Sequence, residues 1–249
     1  MFILEIMSEF REVCTSSRAK VRKRFEETTF YACFLQNFQN KVLFLRCKRT
    51  RRMKLIVMTT PHFFVEEHQI LTALFDEGLE TLHVRKPSTE AVFTERLLRL
   101  IPEIYRRNIV IHDHFHLKKE FSLRGIHLNQ RNPDLPKHYR GHISCTCYNA
   151  EDAQMRKKQM DYVLLSGFYQ DNTPLHEPAL EELAKQGFFD KKIIAQGNIG
   201  LEQIPKLRDL GVTGAVVFSD LWNRFNIYAD QDYQELISHF RKLRKAFDH

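Results

Sequence analysis

The stretch Thr81-Leu-His-Val-Arg-Lys86 has the pattern of a short β-strand that ends in two adjacent cations. Because side chains alternate along a strand, His83 and Arg85 share one face while Leu82 and Val84 share the other. A cation that faces into a sheet or barrel requires an anion. The stretch therefore predicts a strand that carries two polar side chains into whatever space the sheet encloses.

The same pattern recurs from Met53 onward, where short β-branched runs alternate with helical patterns, which is typical of βα units and a parallel sheet. The predicted strands are Lys54–Thr59, Thr81–Arg85, Ile109–His112, Gly125–Leu128, Gly141–Cys145, Tyr162–Ser166, Lys192–Gln196 and Gly214–Phe218. The predicted helices are Glu67–Glu77, Glu90–Arg106, Ala150–Lys158, Pro178–Gln186, Leu201–Asp209 and Tyr233–Phe247, with room for only a short helix in His114–Phe121.

Eight such repeats predict an α/β fold of the (β/α)8 TIM barrel type. A doubly wound sheet is the structural alternative. The first strand is not followed by Gly-x-Gly-x-x-Gly, which argues against a dinucleotide-binding sheet.

Charge separates an N-terminal segment from the repeats. Residues 1–52 contain twelve Lys and Arg against five Glu, which accounts for the whole net charge of +7, so residues 53–249 are neutral. We expect residues 1–52 to be a basic extension, poorly ordered or upstream of a native translation start at Met53, and residues 53–249 to form the barrel. A basic amphipathic helix for a membrane surface or nucleic acid is the alternative for the extension.

The remaining composition predicts a cytoplasmic protein. No apolar run approaches the roughly 18 residues that span a bilayer, and the first residues make a poor secretory signal because Glu5 interrupts them. The five cysteines lack zinc-type spacing and are typical of reduced thiols. We expect neither a membrane nor a nucleic acid as a partner, and nothing in the sequence indicates an oligomeric state.

Polar residues or glycines follow nearly every predicted strand. In a barrel the carboxyl ends of all strands meet at one mouth, so Arg85, Asp113 and Ser144 should converge there. The endings Ala195–Ile199 and Val217–Ser219 follow the seventh and eighth strands, where barrels usually bind phosphate through free backbone N–H groups. The glycine in the first of these endings would let backbone approach a ligand closely.

Histidines near the third strand suggest a metal site. His112-Asp-His-Phe-His116, with His127 nearby, offers imidazole and carboxylate ligands, although the spacing matches no common zinc pattern. The other interpretation is that Asp113 alone ligates Mg²⁺ and shares the ion with a substrate phosphate.

These residues resemble the motifs of thiamine phosphate synthase and its relative TenI, in the same order over residues 53–240. The matching segments are Leu82–Lys86, Ile111–Asp113, Gly125–Gln130, Ile143–Ser144, Asp161–Ser166, Ile194–Ile199 and Gly214–Val217. The resemblance implies a (β/α)8 transferase of thiamine biosynthesis. Such an enzyme joins hydroxymethylpyrimidine diphosphate to a thiazole phosphate and expels pyrophosphate, with Mg²⁺ neutralising the leaving group.

The resemblance also implies roles for individual residues. The implied catalytic residues are Arg85, Lys86, Asp113, Ser144 and Thr173. The implied substrate-binding residues are His83, His112, Gly197, Asn198, Phe218 and Ser219. Among these, Arg85 would hold the pyrophosphate, Asp113 would ligate Mg²⁺, and backbone N–H groups near Gly197 and Ser219 would hold the thiazole phosphate.

The sequence departs from the family motifs at several positions. Asn132 replaces a second magnesium carboxylate, Pro174 replaces a lysine, and the motif lysine falls at Pro87. Removing one charge-stabilising donor can cost roughly 10² to 10³ in rate. A TenI-like tautomerase needs no diphosphate clamp, but its acid–base histidine falls at Thr146, a poor proton-transfer group. A barrel that only binds a thiazole or thiamine phosphate as a regulator is the further alternative.

Overall fold

The computed structural model describes residues 52–169, 177–226 and 232–248. The predicted N-terminal extension therefore lies almost entirely outside the described residues, and so do Thr173 and Pro174. The division of the chain into an extension and a barrel stays a prediction.

Eight parallel strands close into a barrel in the order in which they occur along the chain. They are β1 (Lys54–Met58), β2 (Leu82–Val84), β3 (Ile109–Ile111), β4 (Gly125–Leu128), β5 (His142–Cys147), β6 (Tyr162–Phe168), β7 (Ile193–Gly197) and β8 (Gly214–Val217). Every predicted strand overlaps its observed counterpart. The (β/α)8 prediction is confirmed, and closure between β1 and β8 excludes the doubly wound sheet.

Helices lie outside the strands. They are α1 (Glu67–Asp76), α2 (Ala91–Leu100), α3 (Glu103–Arg106), α4 (Leu117–Glu120), α5 (Ala150–Arg156), α6 (Glu177–Lys185), α7 (Ile204–Asp209), α8 (Ser219–Trp222) and α9 (Gln234–Asp248). On α9, buried Leu236, Phe240, Leu243 and Phe247 recur at helical spacing and pack on the barrel. None of the described helices is long and apolar enough to cross a membrane.

The single helix predicted over Glu90–Arg106 is wrong, because the chain forms α2 and α3 instead. Ile101 is extended, with φ −79° and ψ 130°. It precedes Pro102, whose ring disfavours the helical region for the residue before it. The proline therefore ends α2 one residue earlier and begins a separate short helix.

Side chains on alternate strand positions face either the helices or the barrel interior. Val57 packs in the large outer cluster, whereas its neighbours Ile56 and Met58 face inward. The interior apolar cluster consists of Ile56, Met58, Tyr162, Leu164, Ile194 and Val216, with Phe218 packed against it. Strands β2 to β5 instead place His83, His127 and Ser144 in the interior, all fully buried. The barrel interior is therefore apolar on one side and polar on the other.

The first strand and the last helix meet at the end of the barrel opposite the mouth. The N–H of Met53 donates to the carbonyl of Phe247 at 3.1 Å. Arg52 forms ion pairs with Glu80 at 2.9 Å and Asp248 at 2.5 Å. These contacts fix the first described residues against the end of α9.

Candidate active site at the barrel mouth

The carboxyl end of β2 directs two neighbouring cations to opposite sides of the barrel wall. His83 is fully buried in the interior, and Arg85, two residues later, faces the same side. The N–H of Arg85 donates to Thr59 Oγ1 at 3.0 Å, which ties this turn to β1. Within the described part of the chain, the half-buried Arg85 guanidinium has no acidic partner. Arg85 is therefore a cation at the mouth that none of the described acidic side chains pairs with.

Lys86 faces the other way and does not join the residues at the mouth. Its Nζ donates to Glu67 Oε1 on α1 at 2.5 Å and to the carbonyl of His62 at 2.8 Å. Both side chains of this ion pair are only 1% exposed. Burial raises the pKa of Glu67 to about 7 and lowers the pKa of Lys86. Lys86 thus ties α1 and the loop after β1 to β2, and its contacts do not support the catalytic role that the family motif implies.

Asp113 lies at the mouth after β3, where an arginine and an amide already contact it. Arg131 donates from Nε to Oδ1 at 3.2 Å and from Nη2 to both carboxylate oxygens at 3.1 Å. Asn132 Nδ2 donates to Oδ1 at 3.0 Å. The Asp113 side chain is 14% exposed and that of Arg131 is 37% exposed. Asp113, the predicted magnesium ligand, therefore forms a bidentate ion pair with Arg131.

The loop that carries Arg131 is fastened to the loop after β3. Asn129 Oδ1 accepts the N–H of Arg131 at 2.9 Å and that of Asn132 at 3.2 Å. The side-chain amides of Asn129 and Asn132 both donate to the carbonyl of His112, at 2.9 and 3.1 Å. These bonds set the position of Arg131 independently of its contact with Asp113.

Beneath the mouth, two histidines and a tyrosine form a hydrogen-bonded row. His112 Nε2 lies 2.9 Å from His83 Nδ1, and His83 Nε2 lies 2.6 Å from the hydroxyl of Tyr162. All three side chains are at most 2% exposed. The row links β3, β2 and β6 across the interior, with His112 nearest the mouth.

A second row of hydrogen-bonded side chains joins His127 on β4 to two hydroxyl side chains on β5. His127 lies between Thr146, 2.8 Å from Nε2, and Ser144, 2.9 Å from Nδ1. Ser144 Oγ also donates to the carbonyl of Ile126 at 3.4 Å. Ser144 is fully buried one layer below the mouth. The hydroxyl that the family motif assigns to the substrate therefore serves the internal network, and Thr146 is the β5 residue closer to the opening.

The buried imidazoles of these rows are neutral. Burial lowers the pKa of His83 and His112 well below the ordinary value and lowers that of His127 to about 3, with neighbouring charged groups adding to the effect. A neutral imidazole can donate from one nitrogen and accept at the other. The network can therefore pass a proton without holding a buried charge at rest.

The same three histidines do not form a convincing metal site. The ligand atoms of His83, His112 and His127 all lie within 4.8 Å of one another. However, the rings of His112 and His127 are stacked, with centroids 4.1 Å apart and planes at 23°. Lone pairs that lie in nearly parallel ring planes do not converge on one ion. The predicted ligands His114 and His116 do not join the cluster; they lie in the loop after β3, where His114 contacts a backbone carbonyl.

The surroundings of Asp113 do not fit Mg²⁺ either. Magnesium takes oxygen ligands, usually one or two carboxylates together with substrate phosphates. Asn132 turns its N–H toward Asp113, and Arg131 covers both carboxylate oxygens. Among the described residues, no other acidic or histidine side chain combines with Asp113 into a group of three potential ligands.

The opposite side of the mouth is built by the loops after β7 and β8. A Cβ on Gly197 would lie 1.9 Å from the carbonyl oxygen of Phe168, so packing of β6 against β7 requires glycine here. The N–H of Asn198 donates to the same carbonyl at 3.0 Å and is not free for a phosphate. Ser219 Oγ donates to Asn198 Oδ1 at 3.2 Å. The N–H groups of Ser219 and Asp220 have no acceptor in the described ranges.

Gln196 adds an unpaired acceptor to this side. It lies two residues after Ile194 on β7 and so faces the interior. Its Oε1 is buried and has no hydrogen-bond partner among the residues that are described. A buried acceptor without a partner costs roughly 1 to 3 kcal/mol. A ligand that offers an N–H at this position would recover that cost, whereas Phe218 beside it offers an apolar surface.

The sequence analysis did not assign Arg131 or Tyr162 to the site. Tyr162 could have been found from alternation, because it shares its face with Leu164 and Ser166 on β6. Arg131 lies three residues beyond the end of β4 in an irregular loop, where no periodicity reveals direction. The only feature of the sequence that points to Arg131 is that it is a cation close to the end of a strand.

Comparison with known families and solved structures shows which family this chain belongs to. The family model described as thiamine monophosphate synthase matches residues 55–221, from β1 into α8. A solved thiamine phosphate pyrophosphorylase from Bacteroides thetaiotaomicron is 52% identical, with a TM-score of 0.74, and the match covers 79% of this chain and 98% of that one. This chain belongs to the thiamine monophosphate synthase family. The family resemblance predicted from the motifs is therefore confirmed.

Two more distant structures share the architecture of this thiamine monophosphate synthase family member. A thiamine phosphate pyrophosphorylase from Pyrococcus furiosus is 16% identical, with a TM-score of 0.62 over 80% of this chain and 96% of that one. The tryptophan synthase α subunit from Legionella pneumophila is 14% identical, with a TM-score of 0.56 over 79% and 93%. At these identities the likeness shows the fold alone. No curated protein matches the sequence.

Proposed function

We propose that this chain is a transferase that joins hydroxymethylpyrimidine diphosphate to a thiazole phosphate, giving thiamine phosphate and pyrophosphate. Membership of the family supports the reaction class. The observation that carries the proposal is Arg85, a half-buried guanidinium at the mouth without an acidic partner among the described residues. Holding such a charge partly out of water is costly unless an anion completes it. The diphosphate of the pyrimidine substrate supplies that anion.

In the proposed reaction, the bond between the pyrimidine methylene carbon and the diphosphate oxygen breaks. Its electron pair leaves with the pyrophosphate, and the thiazole nitrogen donates its own pair to the methylene carbon. Negative charge grows on the departing oxygens, so fixed donors aimed at them lower the barrier. We assign this role to Arg85. The neutral His112 can contact the pyrimidine without adding a positive charge beside the developing carbocation.

The thiazole phosphate belongs on the other side of the mouth in this proposal. The free N–H groups of Ser219 and Asp220 are the donors available to its phosphate, since the N–H of Asn198 is already used. Phe218 offers an apolar surface to a heterocycle. Gln196 Oε1 is an acceptor for the amino group of the pyrimidine. The two substrates would then meet between Arg85 and the β7–β8 side.

The direct test is to incubate the full-length chain with both substrates and to separate thiamine phosphate by chromatography. Equal amounts of thiamine phosphate and pyrophosphate are expected, with none when either substrate is omitted. A folded protein that binds thiazole phosphate in calorimetry yet forms no product would exclude the condensation and leave a regulatory barrel or a tautomerase. Neither binding nor product would refute any role in this chemistry.

A TenI-like tautomerase is the second candidate, and the row His112, His83 and Tyr162 favours it. Neutral imidazoles in hydrogen-bond contact can take a proton from one position of a thiazole carboxylate phosphate and return one to another. NMR in heavy water would then show isomerisation with deuterium uptake in the absence of the pyrimidine. His112→Gln should slow that exchange by roughly 10² to 10⁴. Unchanged exchange would exclude the histidine row as the acid–base group.

A further inference from the structure

The guanidinium of Arg131 is the second cation at the mouth, and its geometry is fixed. Its Nε and Nη2 groups donate hydrogen bonds to the two carboxylate oxygens of Asp113 at 3.1 to 3.2 Å. Asn129 holds the backbone N–H of Arg131 at 2.9 Å. The side chain therefore has support at both of its ends, and a planar guanidinium held in this way presents its remaining donors in a constant direction.

The Nη1 group of the same guanidinium lies away from Asp113. Arg131 Nη1 donates to no acceptor in the described residues, which leaves two N–H groups on a side chain that is 37% exposed. Hydrogen bonds from a guanidinium N–H to a phosphate oxygen are charge-assisted and about twice as strong as neutral ones. Each N–H group of Nη1 is thus a ready donor to a phosphoryl oxygen.

Charge at this position also balances without a metal. Two carboxylates and one divalent cation sum to zero, and one carboxylate with one guanidinium also sums to zero. Asn132 stands where a second carboxylate would be needed, and its Nδ2 donates to Asp113 at 3.0 Å. A divalent cation at Asp113 would have to displace Arg131 and then lie next to its positive charge. These contacts oppose a cation and favour an anion.

We propose that Arg131, seated on Asp113, takes the place of a divalent cation at this mouth, so that the chain binds the diphosphate group of its substrate without a metal ion. The identity of the anion rests on the proposed function. Arg85 and Arg131 then contact the diphosphate from β2 and from the loop after β4, and Asp113 positions Arg131 instead of ligating Mg²⁺. Metal-independent binding is the consequence that separates this arrangement from a magnesium site.

The test uses inorganic pyrophosphate as the probe and calorimetry of the full-length chain as the readout, so it does not depend on turnover. In excess EDTA the wild-type chain should bind pyrophosphate, and added Mg²⁺ should not tighten binding beyond its effect on the free anion. Arg131→Met should weaken binding by roughly 10- to 100-fold, because it removes a charge-assisted pair of donors. Arg140→Met, an exposed arginine at the far end of the same connection, should bind like the wild type.

The converse variant rebuilds a carboxylate pair. Arg131→Ala combined with Asn132→Asp should bind Mn²⁺, measured as loss of the free-ion signal in electron paramagnetic resonance, whereas the wild-type chain should not. Wild-type binding of pyrophosphate only in the presence of Mg²⁺ would overturn the inference and leave the proposed function standing. Metal-free pyrophosphate binding without thiamine phosphate formation would do the reverse. No pyrophosphate binding under either condition would overturn the inference, and formation of thiamine phosphate would then decide the proposed function alone.

Discussion

The two halves of the barrel interior are built from different chemistry. The half formed by β1, β6, β7 and β8 holds an apolar cluster whose members are at most 5% exposed. The half formed by β2 to β5 contains His83, His127 and Ser144, each fully buried and hydrogen-bonded. Tyr162 belongs to both halves, because its ring packs in the apolar cluster while its hydroxyl contacts His83.

This difference separates the two tasks of the interior. Apolar side chains stabilise the barrel by being removed from water and need no specific partner. Buried polar side chains stabilise it only while every partner is present, but they hold donors and acceptors in fixed directions. The polar half also continues upward into Arg85 and Asp113. Substitutions in the apolar half should therefore change stability, and those in the polar half should change chemistry.

The largest effect on stability is expected at Lys86. If Lys86 instead took part in the chemistry at the mouth, the comparison between the two halves would fail. Lys86→Met leaves the buried Glu67 carboxylate without its cation, so the free energy of unfolding should fall by about 3 to 5 kcal/mol. Chemical denaturation would measure this. Combining it with Glu67→Leu should recover most of the loss, with normal activity per folded molecule. A stable but inactive double variant would place Lys86 in the reaction.

A cavity in the apolar half should give the next largest effect. Ile194→Ala removes a side chain that is 1% exposed, and the free energy of unfolding should decrease by about 2 to 5 kcal/mol. Ile104→Ala is the matched control, since Ile104 is 65% exposed and should change stability by less than about 0.5 kcal/mol. Similar decreases in the free energy of unfolding in both variants would mean that the interior cluster contributes no more to stability than an exposed side chain.

Arg85 should show the opposite behaviour. Arg85→Met should lower kcat/KM of the condensation by roughly 10² to 10³, because one charge-stabilising donor is lost. Its free energy of unfolding should change by less than about 0.5 kcal/mol, since no described acidic group is left unpaired. Arg107→Met, an exposed arginine before β3, should leave both quantities unchanged. Loss of stability without loss of rate would reverse the assignment.

Acid should weaken the polar half selectively. His127 has a pKa of about 3 in the folded chain, below the ordinary value near 6.5, so between these values the unfolded chain binds a proton that the folded chain does not. Stability is therefore complete above about pH 6.5 and falls toward pH 3, by about 1.4 kcal/mol per pH unit for each such histidine. Unfolding free energies at neutral pH and near pH 5 would measure the slope.

His127→Gln should make that slope shallower by one histidine, although the variant is less stable at neutral pH. His138→Gln is the control, because His138 is exposed in the connection between β4 and β5. An unchanged slope in His127→Gln would mean that His127 takes up its proton in the folded chain as easily as in the unfolded one.

Two simple patterns were enough to predict much of this structure. Short β-branched runs gave the eight strands, and strand alternation put Arg85 beside His83 on the inner face. It also separates Arg85 from Lys86, which face opposite sides. Lys86 was grouped with the catalytic residues by the family motif and not by its position on the strand. Where motif and alternation disagreed, alternation matched the contacts in the structure.

Loop geometry could not be predicted in the same way. The sequence shows that Asn132 replaces a carboxylate, but it does not show that the amide N–H faces Asp113. The pairing of Asp113 with Arg131 joins two loops from different strands and depends on Asn129 bonding across them. Such contacts follow no period. Likewise, Gly197 was assigned to close ligand approach, whereas the close approach is that of the Phe168 carbonyl.

The contact between Met53 and Phe247 makes a circular permutant of the barrel feasible. Since Arg52 also pairs with Asp248, a linker of a few residues could join these positions directly once residues 1–51 are removed. New termini could then be placed at the exposed Lys158 and Gln159, between α5 and β6. Such a circular permutant would retain every strand pairing, so synthesis could begin with β6 and finish with α5.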